Sequence, residues 1–285
     1  MDQLVQNYDS NFVSIRYHIW WPFSNDPFWL YNQGEIEIRK IYYNISSVPR
    51  CFFDGSIDGG GAYGNWETIV QDRILVDSPL DIRSFAAFDS VSLTGDLNIY
   101  VIATSNISQS DLKLRIAITE NNLDYGGSTY NQVFRDMIPS TEGIPFIITE
   151  GDTVEFFEQY SCPAPLIYQN CEIVVFVQSD VDREILQCNR IKIPEDLVAC
   201  NYVVGDINGS DSYNGLDVTY GVAYLKGGSP PPFSCECPPH GAWYVAGDVN
   251  ASCNYNGLDI TYGVNYLKGV IPILLPCPDC PPSGE

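Results

Sequence analysis

Oxygen-bearing side chains recur at one fixed spacing in two places near the end of the chain. In each place Asp, Asn, Ser, Asn and Asp occupy positions 1, 3, 5, 9 and 12, and a backbone carbonyl is available at position 7. Oxygen ligands at this spacing are the set that calcium prefers. We therefore predict two calcium sites. Their ligands would be Asp206, Asn208, Ser210, Ser212, Asn214 and Asp217 in the first, and Asp248, Asn250, Ser252, Asn254, Asn256 and Asp259 in the second.

Both sets of ligands lie inside an internal repeat. GDINGSDSYNGLDVTYGVAYLKG at residues 205–227 returns as GDVNASCNYNGLDITYGVNYLKG at residues 247–269, and 17 of these 23 aligned positions are identical. The alternative is a pair of Asp/Asn turns without metal, but chance turns would not agree at most ligand positions. Short helices should follow, at residues 219–226 and 261–268. Gly221 and Gly263 weaken them by about 1 kcal/mol each relative to alanine.

Two EF-hand-like loops, each opening with GD(I/V)N and closing with YLKG, resemble dockerin domains. Dockerins are calcium-folded modules that attach enzymes to cohesin-bearing scaffold proteins. The resemblance covers about residues 200–270. It implies calcium as the cofactor, the ligand roles given above, and a cohesin-like protein or a cell-surface scaffold as the partner. Because dockerins usually belong to polysaccharide-degrading assemblies, it also implies that process.

The repeats depart from the dockerin pattern in three respects. Position 5 is serine, where the family usually has a carboxylate. Position 6 normally holds glycine for a sharp turn, but here it is Asp211 or Cys253. Each loop therefore carries fewer or misplaced charges, and we expect weak affinity. Aspartate tolerates left-handed backbone better than cysteine does, so the second loop fits the pattern less well than the first. The pairs that dockerins use to choose a cohesin are Gly215-Leu216 and Gly257-Leu258, identical to one another and unlike the usual polar pairs.

Composition limits the partners and the compartment. The 285 residues carry a net charge of −22, which disfavours nucleic acid and anionic lipid surfaces. The longest apolar run, residues 270–275, is far too short for a membrane span. Ten cysteines beside two methionines indicate an oxidising compartment, so we expect a secreted, cell-surface or outer-membrane protein. No export signal opens the sequence, and we expect that it was lost by truncation of the N-terminus.

The N-terminal two thirds carry a second resemblance. RYHIWWPFSNDPFWLYN, a helical pattern and YYNISSVPRCFFDG are similar to a family of outer-membrane proteins of Gram-negative bacteria, in which a thioredoxin fold precedes a β-sandwich. The match covers roughly residues 1–193. It implies a structural cis-proline at Pro49. It also implies that the chain begins inside a helix whose Cys-x-x-Cys lies upstream of Met1, so this chain is not expected to catalyse thiol exchange.

Local patterns and these resemblances together predict a multidomain α+β protein. Residues 1–77 would form a thioredoxin-like domain that is truncated at its N-terminus, with a buried strand at residues 12–19 and a helix at residues 34–44 that carries Ile38, Ile41 and Tyr42 on one face. Residues 78–195 alternate apolar and polar side chains and would form an antiparallel β-sandwich. Residues 196–285 would form a small, α-helical, EF-hand-like dockerin module with a Pro/Cys-rich connector and tail.

The cysteines leave several pairings open. Cys162 and Cys171 flank a loop and are candidates to close it, whereas Cys51 and Cys188 read as buried free thiols. Six more cysteines surround the repeats and allow fifteen disulfide connectivities. A four-thiolate zinc site formed by two Cys-x-Cys-type pairs is a less favoured alternative. These six candidates are Cys200, Cys235, Cys237, Cys253, Cys277 and Cys280.

Two functions follow as expectations. The first is an exported, non-catalytic modular protein that docks to a cohesin-type scaffold or cell surface. The second is a fragment of a thiol–disulfide oxidoreductase. A glycoside hydrolase would need a pair of acids facing a cleft, and the candidate pairs are Glu155/Glu158 and Asp180/Asp182.

Overall fold

The chain folds into two compact units in a computed structural model that describes residues 1–8, 11–61, 63–193, 201–237 and 241–282. The first unit comprises Met1–Ser84 and Val91–Ile193, and the second comprises Phe85–Ser90 with the described residues from 201 onwards. The fold is α+β and rich in β-structure, and the strand pairings within the sheets are mostly antiparallel.

The first unit begins with helices and a small hairpin. These elements are α1 (Asp2–Asn7), α2 (Pro27–Tyr31), α3 (Gln33–Tyr42), β1 (Cys51–Phe53), β2 (Ile57–Gly60) and α4 (Trp66–Ile74). β1 and β2 pair antiparallel. Leu4 of α1, Phe53 of β1, and Trp66 and Val70 of α4 form one buried cluster. Asp26 caps α2, because its carboxylate accepts the backbone N–H groups of Phe28 and Trp29.

Two larger sheets follow, and their strands belong to the first unit except for the end of the first strand, because Phe85–Ser90 is grouped with the second unit. The strands are β3 (Leu80–Asp89), β4 (Thr94–Ala103), β5 (Leu112–Glu120), β6 (Leu123–Tyr125), β7 (Ser128–Tyr130), β8 (Val133–Ile138), β9 (Ile144–Pro145), β10 (Thr153–Ser161), β11 (Cys171–Ser179) and β12 (Ile185–Lys192). One sheet has the order β10-β4-β3, and the other β12-β11-β5-β8 with β9 also on β5. These two sheets occupy the region of the predicted sandwich. β6 and β7 form a separate hairpin.

Helices α2 and α3 pack on one face of the five-stranded sheet. Trp29 and Ile36 share a buried cluster with Phe134 of β8 and with Val174 and Phe176 of β11. β11 is therefore buried on both faces along its whole length. Because the same core joins these helices to the sheet, the structure groups residues 1–84 and 91–193 in one unit, across the predicted boundary between domains 1–77 and 78–195.

Two local features of this unit differ from the sequence prediction. Residues 12–19 are not a strand but an extended segment with a single parallel bridge, from Arg16 to Val133. The buried face of α3 is formed by Ile36 and Arg39, whereas Ile41, which was expected on the core face, is exposed. Arg39 is buried because its guanidinium lies over the Tyr42 ring, 4.5 Å from the centroid, and donates to the Tyr43 hydroxyl.

The second unit contains both repeats. Its elements are α5 (Gly215–Leu225), the pair of short strands β13 (Cys235–Cys237) and β14 (Gly241–Trp243), and α6 (Gly257–Leu267). Each helix follows one of the predicted loops. Both helices begin four residues before the predicted start, because an asparagine at position 9 of the loop caps them. None of the described helices is both long and apolar enough to cross a membrane.

Candidate metal centre

Loop 1 (residues 206–217) is organised by the carboxylates at its first and last positions. Asp206 accepts the N–H groups of Ser210 at 2.8 Å and Asp211 at 2.7 Å, one with each oxygen. Asp217 accepts those of Asn208 at 3.3 Å and Asn214 at 2.9 Å. Both ends of the loop are thus folded inward, which places the two carboxylates on its inside.

Loop 2 (residues 248–259) repeats this arrangement. Asp248 accepts the N–H groups of Ser252 at 3.2 Å and Cys253 at 2.7 Å. Asp259 accepts those of Val249 at 3.2 Å and Asn256 at 2.8 Å. Two separate stretches of sequence therefore fold into nearly the same hydrogen-bonded loop.

The backbone turns sharply at the same places in both loops. Position 6 has positive φ in each copy, +59° at Asp211 and +51° at Cys253. Position 4 does as well, at Gly209 and Ala251. Aspartate and cysteine thus adopt the left-handed conformation that glycine usually provides at this position, as the sequence predicts.

Positions 5, 7 and 9 contribute polar atoms with different roles. The serine hydroxyl at position 5 points to the carbonyl at position 7, at 3.3 Å from Ser210 to Ser212 and 3.1 Å from Ser252 to Asn254. The amide oxygens of Asn214 and Asn256 instead cap the following helix by accepting an N–H two residues on. With the aspartate at position 12 they complete a capping box in both copies. The asparagine at position 9 is therefore both a predicted ligand and the N-cap of the following helix.

The electrostatics of these loops fit a hard cation. Asp206, Asp217, Asp248 and Asp259 are 9%, 1%, 0% and 2% exposed, although carboxylates are rarely buried without a partner. Burial and the adjacent Asp248 carboxylate raise the pKa of Asp259 to about 6, and burial raises the pKa of Asp248. A cation between such carboxylates would favour their charged forms. All the predicted donors are oxygens, which calcium prefers.

Two crossed tyrosines fix the loops relative to the helices. Tyr255 of loop 2 packs on Gly247 and places its hydroxyl against Gly221 of α5. Tyr213 of loop 1 packs on Gly205 and places its hydroxyl against Gly263 of α6. The helix glycines, which looked like defects in the sequence, leave the space that these hydroxyls fill. Their recurrence at the same place in both copies was the signal that could have revealed this contact.

The cysteines around the repeats are joined in two described disulfides. Cys237 is bonded to Cys280, and Cys253 to Cys277. Cys235 is disulfide-bonded as well, and Cys200 lies outside the described residues. The Cys-x-x-Cys of the tail is therefore not a redox pair, since its two sulfurs have different partners.

These disulfides also decide against thiolate metal sites. The four thiols of the alternative zinc site are all bonded in disulfides. One carboxylate oxygen of Asp248 lies within 4.8 Å of the sulfurs of Cys253 and Cys277, but sulfurs joined in a disulfide do not supply thiolate ligands.

The remaining predicted positions lie in the first unit. Cys162 and Cys171, the candidates for closing a loop, are both buried free thiols in the structure, and Cys171 donates to the Ile167 carbonyl at 3.4 Å. Cys51 and Cys188 are also free, and burial raises the pKa of each thiol to about 11, which makes them poor nucleophiles. The Val48–Pro49 peptide is cis.

At least one member of each acidic pair is hydrogen-bonded within the fold. Asp180 accepts two hydrogen bonds from Arg115, at 2.8 and 3.1 Å, and one from the Tyr42 hydroxyl. Glu155 accepts from the Tyr100 hydroxyl at 3.0 Å. Glu35 of α3 and Asp136 of β8 form a further acidic pair. The sequence does not reveal this pair, because its members come from elements that are distant in the chain. Burial and the Asp136 carboxylate raise the pKa of Glu35 to about 7.

Comparisons with known proteins give distant likenesses. No protein-family model matches the chain, and no curated protein matches it. HBP35 of Porphyromonas gingivalis aligns at 10% identity over 63% of this chain and 65% of that one, so less than two thirds of that protein is spanned, with a TM-score of 0.49. A domain of the outer membrane lipoprotein Omp28 from the same organism aligns at 13% identity over 42% of this chain and 99% of that one, with a TM-score of 0.34. A β-glucosidase from Kluyveromyces marxianus gives 12% identity over 41% of this chain and 15% of that one, with a TM-score of 0.24.

Proposed function

We propose that this chain is an exported, non-catalytic modular protein whose second unit folds around calcium and docks it to a cohesin-type scaffold or cell surface. The docking would serve a polysaccharide-degrading assembly. The observation that carries the proposal is the pair of matching loops, each with two buried carboxylates, a left-handed residue at position 6 and a capped exit helix.

Calcium would supply the positive charge that the buried carboxylates lack. The chain's own residues do the rest. Asp206 and Asp217 hold loop 1 closed through backbone N–H groups, and Asp248 and Asp259 do so in loop 2. Because the same aspartates at position 12 also belong to the capping boxes, the loops and the two helices are coupled. Loss of the ion would therefore loosen the helices that carry the docking surface.

The proposed contact residues are the leucines that stand just before the last ligand. Leu216 is 69% exposed and Leu258 is 70% exposed, at equivalent positions of α5 and α6. Large apolar side chains at this exposure are free to enter a partner's pocket. We propose that either leucine can make the contact, since the repeats present the same residue in the same local setting.

The export part of the proposal rests on chemistry. Described disulfides and a net charge of −22 fit a compartment that is oxidising and contains calcium. We propose that the first unit is the cargo that the second unit attaches. The non-catalytic part of the proposal is supported by the free thiols of the described residues. All four are at least partly buried, and none belongs to a Cys-x-x-Cys.

The test is binding of the full chain to a panel of cohesin domains by surface plasmon resonance, with calcium and then with a chelator. We expect binding to at least one cohesin in calcium and none in chelator. The double variant Leu216→Ser/Leu258→Ser should lose about tenfold or more in affinity, whereas each single variant should lose little. Val270→Ser is the matched control, because Val270 is also 70% exposed and lies after α6. Binding that ignores the chelator, or that survives the double substitution, would refute the proposal.

A further inference from the structure

Loop 2 is tied covalently at a position where loop 1 cannot be. Cys253 stands at position 6 of loop 2 and is bonded to Cys277, 24 residues later. The residue at position 6 of loop 1 is Asp211, which forms no such bond. Since the two loops otherwise share their backbone conformation, the disulfide is the main covalent difference between them.

The segment that carries Cys277 is also hydrogen-bonded along loop 2. Leu275 donates to the Val249 carbonyl and accepts from the Ala251 N–H, both at 2.9 Å. These bonds form a parallel bridge between Asn250 and Leu275, and Leu275 is fully buried. Position 4 and position 6 of loop 2 are thus fastened to the same short segment.

Loop 1 lacks this support among the described residues. Phe233, which stands 42 residues before Leu275, is 67% exposed. Its ring lies beside Gly209, but no β-bridge joins it to loop 1 in the described part of the chain. Loop 1 is therefore held by its own side chains and by contacts that solvent can reach.

Position 6 controls the first ligand. The left-handed backbone at Cys253 directs its N–H to Asp248, at 2.7 Å from the carboxylate oxygen. A non-glycine residue adopts this conformation at a cost, and an anchored side chain removes the competing conformations. The disulfide therefore restrains the residue whose N–H group holds the first carboxylate of the ligand set.

We propose that the Cys253–Cys277 disulfide, with Leu275, holds loop 2 in its ligand-binding conformation before calcium arrives, so that loop 2 binds calcium more tightly than loop 1 and fills first. This inference rests on the calcium binding proposed above. Loop 1 has to order its position 6 as the ion binds, and that cost lowers its apparent affinity. Loop 2, which looked the weaker from its sequence, becomes the tighter site.

The first experiment compares the loops one at a time in the oxidised full chain. Asp206→Ala removes the first ligand of loop 1 and leaves loop 2, and Asp248→Ala does the reverse. Calorimetric titration with calcium should give a dissociation constant about tenfold lower for Asp206→Ala than for Asp248→Ala. Equal constants, or the reverse order, would overturn the inference. Both variants keep every disulfide.

The second experiment removes the bond itself. Cys253→Ser/Cys277→Ser should weaken calcium binding about tenfold in the Asp206→Ala background, and should leave it unchanged in the Asp248→Ala background. Equal losses in the two backgrounds, or none in either, would contradict the assignment. If this variant fails to fold, the comparison of Asp206→Ala with Asp248→Ala still tests whether loop 2 binds calcium more tightly than loop 1.

A third measurement needs no calcium. In chelator, subtilisin should cleave the wild-type chain within residues 206–217 before it cleaves within 248–259, and the double serine variant should lose this difference. Equal cleavage of both loops in the wild type would overturn the disulfide's role. Absence of calcium binding in both loops of the wild type would instead refute the proposed function, so the two failures are distinguishable.

Discussion

The hydroxyl of Tyr255 occupies the space that a side chain on Gly221 would need. The same relationship holds in the other direction between Tyr213 and Gly263. Each loop therefore inserts a tyrosine into a gap in the helix of the other repeat, and the ring of Tyr255 also stacks on Tyr224 of α5, with centroids 5.8 Å apart. This crossing makes the two repeats one folding unit.

Gly221→Ala should destabilise the second unit although alanine favours helix. Alanine gains about 1 kcal/mol of helix propensity, but its methyl group would overlap the Tyr255 hydroxyl, and overpacking costs about 1–3 kcal/mol. We expect the second unit to unfold at lower urea concentration, measured by brief proteolysis at increasing urea and mapping of the cleavages within residues 205–269. Gly215→Ala in the same helix is the control, because nothing lies within 4 Å of an added methyl there. A Gly221→Ala chain as stable as the control would contradict the contact.

Tyr255→Phe should relieve the Gly221→Ala defect. The Tyr255 hydroxyl is buried and forms no hydrogen bond among the described residues, so its removal should cost little. In the double variant the methyl group can take the vacated space. A double-mutant cycle should therefore give a favourable coupling of about 1 kcal/mol. Strict additivity of the two substitutions would argue against direct contact.

Asp180→Ala should strongly destabilise the first unit. Asp180 is the ion-pair partner of Arg115, whose side chain is 2% exposed. Removal of one partner leaves the other charge buried, and we expect a loss of about 2–4 kcal/mol in unfolding free energy. Glu37→Ala is the control, since the Glu37 side chain is 38% exposed and a helical pair of this kind with Lys40 contributes about 0.5 kcal/mol. Similar losses for both variants would contradict the assigned burial.

The stability of the first unit should fall as the pH rises from about 4.5 to about 7. Burial and Asp136 raise the pKa of Glu35 from 4.5 to about 7, so the native state holds a proton that the unfolded state has released in this range. We expect a loss of about 1–2 kcal/mol, reduced for the part of this group that solvent screens.

Glu35→Gln should flatten this pH dependence. Glutamine retains an oxygen that can accept from the Met137 N–H, as Glu35 does at 3.0 Å. Urea denaturation at both ends of the pH range, followed by tryptophan fluorescence, measures the slope, since four of the five tryptophans lie in the first unit. Parallel pH profiles for the wild type and the variant would show that Glu35 titrates normally.

The thiols of Cys162 and Cys171 should be alkylated only after unfolding. Both are buried and free in the structure, although the sequence made them disulfide candidates. Peptide mapping after alkylation in denaturant, without reductant, should find the label on both residues. A linked pair of peptides would show instead that a disulfide closes this loop.

The two loops could be predicted from the fixed spacing of their ligands. Features that depend on contacts between distant segments could not be predicted. The ligand positions could be read because each loop is local, and β4 followed from the alternation of Leu97, Ile99 and Val101, which are all fully buried. The buried face of α3 was predicted incorrectly, since a buried arginine depends on Tyr42 and Tyr43 folding back over it. The start of α5 was predicted four residues late, because Asn214 was assigned only as a ligand and not also as a cap.

Long-range tertiary contacts explain the other features of the structure that the sequence did not predict. The grouping of residues 1–84 with the sheets depends on the contacts of Trp29 and Ile36 with β8 and β11, which no local pattern encodes. The disulfide connectivity has the same origin, since fifteen pairings fit the six cysteines equally well on spacing alone.

Calcium titration of the oxidised full chain by calorimetry, with far-ultraviolet circular dichroism and a chelator control, tests the central claim most directly. The account predicts saturable binding near two ions per chain, loss of helical signal and of thermal stability in chelator, and loss of binding in Asp206→Ala/Asp248→Ala. An absence of binding heat, with melting curves that the chelator leaves unchanged, would contradict it. The buried aspartates would then be held by backbone N–H groups alone, and the second unit would owe its fold to its disulfides.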